Sequence, residues 1–188
     1  MGRYLNILKL DKLRRENLDI SSTDSGQAPP TILELKNGYP VYTDPEFANG
    51  NNNIKVYDNA GSGKVTITRE TDSTCGNSSG YVLKVVSASG ATPGYGGWYF
   101  ATSLQRGGEY TCIFRAKIDS GVTIGFVTNN LGTGSANGWL TAHVGTGKWE
   151  WYAYKVLSGT ANCANTFFFY ADKATTWYLS YANVIRNN

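Results

Sequence analysis

The chain has 188 residues, of which 16% are charged and 13% aromatic, and its net charge is +3 at pH 7. This length is enough for one domain with a sizeable core, and 22 glycines with 13 tyrosines favour a β protein with many turns. The small charge excess argues against nucleic acid binding, and the absence of an apolar run of about 18 residues argues against membrane insertion.

Residues 1 to 30 are predicted to form an N-terminal arm and linker. The apolar residues of the first part fit neither a helical nor a strand period, so a short helix and an extended docking arm both remain open. Small polar residues and two prolines in SSTDSGQAPP, residues 21 to 30, exclude regular structure. The candidate anchoring or oligomerisation residues are Tyr4, Leu5, Leu8, Leu10 and Leu13. Asn6, Lys9 and Asp11 interrupt the apolar run that a secretion signal needs, so we expect a complete chain to be made in the cytoplasm.

Strand and turn signals alternate over residues 31 to 188. TILELKNGYPVY predicts a strand and an Asn37-Gly38 turn, with Pro40 ending the pairing. Nine further segments rich in β-branched and aromatic residues follow, at 64–70, 81–87, 97–103, 109–118, 123–129, 137–144, 148–157, 166–172 and 176–186. With no convincing helix between them, they predict an antiparallel sandwich or barrel.

Alternation along these segments predicts which side chains are buried. In EYTCIFRAKI the inner side is expected to carry Tyr110, Cys112, Phe114, Ala116 and Ile118. The three cysteines cannot all pair and have only His143 to complete a metal site, so we interpret them as free, structural thiols and expect no metal.

Five motifs in order carry a family resemblance: DPEF from Asp44, GYVLKV, GGEYTCIFRAK, KWEWYAYKV and the closing WYLSYANVI. Together they resemble the jelly-roll carbohydrate-binding modules that accompany many secreted glycoside hydrolases, over roughly residues 40 to 186. The resemblance implies an all-β, antiparallel jelly-roll β-sandwich and a glycan ligand. Members commonly hold a structural calcium ion with an Asp pair in the last strand. Here Ser180 and Tyr181 stand at those positions, which leaves Asp44 and Glu46 without a partner carboxylate, so no cofactor is expected.

The leading arm in front of such a domain also resembles the short fibre and appendage proteins of tailed bacteriophages. This resemblance implies a structural component of a head or tail fibre, exposed on the virion surface and adhering to host or environmental glycans. It further implies that the arm contacts other virion proteins and that the chain forms a trimer or dimer. The alternative is a carbohydrate-binding module of a secreted polysaccharide-degrading enzyme, which the missing export signal and the charged arm disfavour.

Sugar binding by such folds needs flat rings that stack on a pyranose, with amides or hydroxyls for its hydroxyl groups. Trp98 follows a flexible Gly-Tyr-Gly-Gly loop and is predicted, with Tyr95, to form a contact surface, while Phe100 belongs to the interior. Trp149 and Trp177 open their strands and are assigned to the core. The remaining candidate sugar-binding residues are Asn129, Asn130, Asn137, Trp139 and Trp151. For each tryptophan, plain core packing is the competing interpretation.

Catalytic chemistry has little support in the sequence. A glycosidase needs two carboxylates facing each other across a cleft, and the acidic residues here are scattered in turns and at strand ends. A Ser-His-Asp arrangement would have to use His143, and the strained G-x-S-x-G elbow is missing. We therefore expect a protein that is not an enzyme.

Overall fold

The structure is a computed structural model that describes residues 39–58, 63–91, 94–128, 135–137, 144–158, 163–164 and 167–187. These ranges contain strands and turns, and no helix long and apolar enough to cross a membrane lies in them. The strands are β1 (Tyr39–Pro40), β2 (Ile54–Tyr57), β3 (Val65–Thr71), β4 (Tyr81–Ser87), β5 (Gly97–Phe100), β6 (Ser103–Leu104), β7 (Glu109–Ile118), β8 (Ile124–Val127), β9 (Ser135–Asn137), β10 (Trp149–Leu157), β11 (Cys163–Ala164), β12 (Phe167–Ala171) and β13 (Thr175–Arg186).

Two antiparallel sheets form a sandwich. The larger sheet has the order β3-β4-β13-β7-β10-β9, with β1 added beside β13, and the smaller sheet has the order β2-β5-β12-β8. Strands β6 and β11 form a separate pair. The antiparallel sandwich predicted from the alternating pattern, and the jelly-roll fold implied by the family resemblance, are therefore confirmed. The arm, residues 1 to 30, lies outside the described residues.

The core lies between the two sheets and follows the predicted alternation. All five residues predicted to face inward on β7 are buried in one cluster with side chains of the smaller sheet. Cys112 and Cys75 are both free and buried. Burial raises the pKa of the Cys112 thiol well above its usual value, so this residue behaves as a small apolar side chain.

Strand β13 changes its facing direction halfway along. Its pairing with β7 shifts between Leu179 and Tyr181, which leaves Ser180 as the extra residue of a β-bulge. Leu179 faces the main core, whereas Tyr181 packs on the outer face against Ile113 and Ile185. Without the bulge, simple alternation would have sent Tyr181 inward.

Strand β4 pairs with the first part of β13, up to Leu179, and β1 pairs with β13 near its end, at Ile185 and Arg186. Pro40 is in register with Ile185, and the N–H of Val41 donates to the carbonyl of Val184 at 2.8 Å. Strand β1 thus ends at Pro40, as the sequence predicted, and the hydrogen bond of Val41 lies just beyond it. Proline lacks only a donor, so the edge of a sheet tolerates it as the last residue of a strand.

Candidate functional site

Trp98 is a core residue and not the surface residue that the sequence analysis predicted. Its side chain is 0% exposed. Its ring centroid lies 4.5 Å from that of Phe169, 5.0 Å from that of Phe114 and 6.5 Å from that of Trp177. Trp98 and Phe100 are two residues apart on β5 and therefore share a face, so assigning Phe100 to the interior required the same of Trp98.

The other predicted sugar-binding residues that the structure describes, Tyr95, Trp151 and Asn137, do not form one site. Tyr95 is half-buried in the turn before β5, where its N–H donates to the carbonyl of Ala171 at 3.0 Å. Trp151 faces outward as predicted, but on the larger sheet, with its ring 5.2 Å from that of Tyr181. The backbone of Asn137 pairs with Lys155 in β9. Asn129, Asn130 and Trp139 lie outside the described residues, as do the five predicted anchoring residues.

Trp149 and Trp177 differ, although both were assigned to the core. Trp177 is buried there, and its indole N–H donates to the Ser87 hydroxyl at 3.0 Å. Trp149 is half-buried and in register with Lys117, whose side chain is on the outer face, so its assignment to the core is wrong. Since Tyr152 and Tyr154 face inward, alternation along β10 already placed Trp149 with Trp151 on the outer side.

The structure brings four aromatic side chains together on the outer face of the smaller sheet, which we call the aromatic platform: Tyr57, Tyr99, Phe168 and Tyr170. The Tyr99 and Phe168 rings stack with their centroids 5.0 Å apart and an interplanar angle of 26°. Tyr57 lies on the other side, 4.7 Å from Phe168. Phe168, at 8% exposure, is the centre of the group, while Tyr99 and Tyr170 remain half-exposed.

Strand register explains this grouping. One row across the sheet joins Lys55 of β2, Tyr99 of β5, Phe168 of β12 and Val127 of β8. The next row joins Tyr57, Gly97, Tyr170 and Gly125. In this row each ring alternates with a glycine, which leaves space for the ring to lie down on the sheet.

Tyr170 is positioned by that glycine space. A Cβ built on Gly125 would overlap the Tyr170 ring, and a Cβ on Gly94 would come within 3.1 Å of it. The ring therefore lies over the backbone of Gly125. This contact fixes the ring plane against the sheet, which is the preorganised geometry that stacking needs.

The platform has the chemistry of a stacking surface. Aromatic rings offer flat apolar area at little cost in conformational entropy, and tyrosine adds a hydroxyl that donates and accepts hydrogen bonds. Lys55 is exposed at one end of the first row, and Val127 is 36% exposed at the other. This face thus combines flat apolar area with a few polar groups, as a surface for sugar rings requires.

Among the carboxylates of the described residues, Glu150 is the most deeply buried, at 3% exposure on the inner side of β10. One oxygen accepts a hydrogen bond from the Tyr152 hydroxyl at 3.0 Å, and Oε1 has no partner among the described residues. Burial, followed by the negative charge of Glu150, raises the pKa of Tyr152. The two acidic residues quoted from the first motif serve loops instead: Asp44 accepts the N–H groups of Ala48 and Asn49, and Glu46 binds Ser78.

None of the four platform residues was predicted from the sequence, although a signal for them was present. In TFFFYAD, burial of Phe167 and Phe169 places Phe168 and Tyr170 on the opposite face. Tyr99 follows in the same way from Trp98 and Phe100. The tryptophans were proposed as binding residues because of their type. Position within the alternating pattern is what predicts which rings face outward.

Solved structures share this fold at low sequence identity. The CBM22-1 and GH10 modules of Clostridium thermocellum endo-1,4-β-D-xylanase 10B, complexed with xylohexaose, match with a TM-score of 0.54 and 14% identity over 79% of this chain and 28% of that chain. The CBM22-1 xylan-binding domain of Paenibacillus barcinonensis Xyn10C matches with a TM-score of 0.53 and 12% identity over 80% of this chain and 96% of that domain.

The enzymatically active domain of tailspike protein 4 from bacteriophage CBA120 has a TM-score of only 0.43, at 13% identity, over 79% of this chain and 20% of that chain. No protein-family model and no curated protein matches the sequence. The chain therefore shares the fold of carbohydrate-binding modules, and it spans under a third of the two-module xylanase that it matches.

Proposed function

We propose that this domain binds a polysaccharide through the aromatic platform and does so without catalysis. The observation that carries the proposal is the set of four rings on one sheet face, with Phe168 stacked on Tyr99 and in tilted contact with Tyr57, and with Tyr170 lying over Gly125. Outward-facing rings arranged in this way are not needed to close the core, which the inward residues of the same strands already fill. The two half-exposed members, Tyr99 and Tyr170, offer flat surfaces on which pyranose rings can stack, and the buried Tyr57 and Phe168 support them.

The absence of catalysis is supported by how the described carboxylates are used. Asp172 accepts the N–H of Thr123, Asp119 accepts the Thr175 hydroxyl and Glu109 pairs with Lys155. A glycosidase needs two carboxyl groups facing each other across the sugar, one of them free to protonate the leaving group. Carboxylates committed to turns and strand ends do not meet that requirement.

For the biological setting we propose the virion surface of a tailed bacteriophage, with the domain as the glycan-adhesive part of a head or tail fibre. Residues 1 to 30 would contact other virion proteins, and the chain would form a trimer or dimer, so that weak sugar sites gain strength through multivalency. Support comes from the leading arm and from its order before the sandwich domain. Mass spectrometry of purified particles tests this directly, and finding the chain only among secreted proteins would contradict it.

The second candidate setting is a carbohydrate-binding module of a polysaccharide-degrading enzyme. The specific observation in its favour is the likeness of the fold to two modules whose names include xylan or xylanase. Both settings use the same platform. A coding sequence for a hydrolase continuous with this one would favour the second.

The binding proposal is tested by affinity electrophoresis and calorimetry with soluble xylan, mixed-linkage β-glucan and bacterial O-chain polysaccharides. Wild-type protein is compared with the Tyr99→Ala, Tyr170→Ala double variant. Trp151→Ala is the matched control, because it removes an outward ring from the other sheet. We expect the double variant to lose binding and the control to keep it. Binding that resists the double substitution, or no binding to any saccharide, would rule the platform out.

A further inference from the structure

The outer face of the larger sheet carries a second set of aromatic side chains, interleaved with basic ones. Strand register places five residues directly opposite one another on neighbouring strands, which we call the aromatic-basic row: Trp149, Lys117, Tyr178, Lys84 and Thr68. The first four are half-buried and Thr68 is exposed. The row crosses β10, β7, β13, β4 and β3, on the side of the sandwich opposite to the aromatic platform.

Lys117 is the central member of this row. Its Nζ lies 5.7 Å from the centroid of the Trp149 ring and 5.1 Å from that of the Tyr178 ring, so it stands between two rings within cation–π range. The guanidinium of Arg115 lies 5.4 Å from the same Trp149 ring. Two cations of β7 thus lie beside one indole of the adjacent strand β10.

The lysines on this face of the sheet differ in whether they form ion pairs. Lys84 is paired with Glu70 at 3.4 Å, and Lys155 with Glu109 at 2.9 Å. Within the described ranges neither of these ion pairs involves Lys117. The charge of Lys117 does contribute to lowering the pKa of Asp72, after the larger effects of the Thr74 hydroxyl and backbone N–H. Unlike Lys84 and Lys155, the lysine between the rings is a member of neither ion pair and, among the residues that the structure describes, faces a carboxylate only through the longer-range effect on Asp72.

We propose that the aromatic-basic row is a second binding surface and that its ligand is an anionic polysaccharide, one that carries carboxylate or sulfate groups. Trp149 and Tyr178 supply ring faces for stacking on sugars, and Lys117 between them supplies the counter-charge. The two rings are two strands apart, roughly 9–10 Å. That spacing calls for an oligosaccharide with its acidic group between the stacked sugars.

This proposal does not rest on the aromatic platform. The platform has exposed Lys55 at one end of its rows and no lysine between its rings, so it is suited to a neutral saccharide. The two surfaces lie on opposite sheets and could be occupied at once. Substitutions on one sheet therefore leave the other surface intact, which makes failure of either proposal visible by itself.

The test is affinity electrophoresis of the full chain in gels containing polygalacturonate, with soluble xylan as the neutral gel. We expect polygalacturonate to retard the wild type and Lys117→Gln to weaken the apparent affinity about tenfold, as for a lost charge-assisted contact. Tyr178→Ala should weaken it as well, whereas Tyr178→Phe should retain it. Thermal melting of each variant verifies folding, and Tyr99→Ala should leave this binding unchanged.

Lys55→Gln provides the matched control, because it removes one positive charge from the opposite sheet. An equal loss with Lys55→Gln and Lys117→Gln would overturn the proposal, since it would indicate attraction to the net charge alone. Absence of retardation by polygalacturonate and by dextran sulfate would also overturn it. Oligothymidylate is the last comparison: if it binds as tightly and depends equally on Lys117, the surface is a general polyanion site and the polysaccharide proposal is wrong.

Discussion

The same two strands, β5 and β12, supply both fully buried core rings and the proposed binding face. On β5, Trp98 and Phe100 point into the sandwich while Tyr99 points out, and on β12 Phe169 points in while Phe168 and Tyr170 point out. Both faces are aromatic, yet the inner rings are enclosed on all sides and the outer rings keep part of their area open. In this protein residue type therefore does not distinguish packing rings from outward-facing rings, whereas strand alternation does.

The largest effect that would separate the two faces is expected from Trp98→Ala. Removing the indole leaves a cavity between Phe114, Phe169 and Trp177, and losses of about 3–5 kcal/mol are typical of such truncations. Urea denaturation measures the change. The neighbouring Tyr99→Ala serves as the matched control and should cost much less. Equal losses for the two variants would contradict the division between an inner and an outer face.

Tyr152→Phe probes a polar contact of the inner face and should have the next largest effect. The substitution removes one hydroxyl, which donates to the buried carboxylate of Glu150. Leaving a buried charged group short of a donor costs about 1–3 kcal/mol. The free energy of unfolding at neutral pH measures this loss. A variant as stable as the wild type would mean that the Glu150 carboxylate does not depend on this hydrogen bond.

Gly125→Ala is expected to alter the platform more than the core. The new Cβ would overlap the Tyr170 ring, which is half-exposed and can swing away from the sheet. Crowding of this kind costs about 1–3 kcal/mol, and we expect the lower end because the ring has solvent to move into. Polysaccharide binding should fall, while near-ultraviolet circular dichroism of the core aromatic residues stays unchanged. Unaltered binding would show that the position of Tyr170 over Gly125 does not matter.

Glu109→Gln should have the smallest effect, because the side chains of Glu109 and its partner Lys155 are 33% and 29% exposed. The hydrogen bond from Lys155 lowers the pKa of Glu109, against the opposing effect of partial burial. A carboxyl whose pKa is lowered by folding stabilises the native state above its unfolded pKa, about 4.3, and this contribution is lost as the pH falls through the folded value. The variant should therefore lose no more than about 1 kcal/mol at pH 7 and almost nothing at pH 3. Denaturation at the two pH values checks the sign, and a larger loss at pH 3 would contradict it.

The sandwich was predictable from sequence because long strands such as β7 and β10 alternate clearly over many residues. Several local features were not. The bulge at Ser180 turns the Tyr181 side chain from the inner to the outer face, and no residue type in WYLSYANVI predicts a bulge there. The pairing of Pro40 with Ile185 depends on where β4 ends, a tertiary fact. Short β2, with Tyr57, gave too little periodicity to be assigned.

The candidate site was only partly predictable. The family resemblance implied aromatic rings on an outer face of the fold, and outward placement of Trp151 followed from alternation. Which rings share one face depends on the pairing of β2, β5, β12 and β8, which are not in sequence order. Pairing of strands distant in sequence is set by packing of the whole core, and a single strand does not reveal its neighbours.

Stacking of a polysaccharide on the aromatic platform is tested most directly by the affinity of Tyr99→Ala for a soluble polysaccharide that the wild type binds. Calorimetry measures this affinity, with Tyr99→Phe beside it. Loss of one stacked ring predicts about tenfold weaker binding, equivalent to roughly 1.4 kcal/mol, with the phenylalanine variant close to wild type. A folded Tyr99→Ala protein that binds with unchanged affinity would contradict the account.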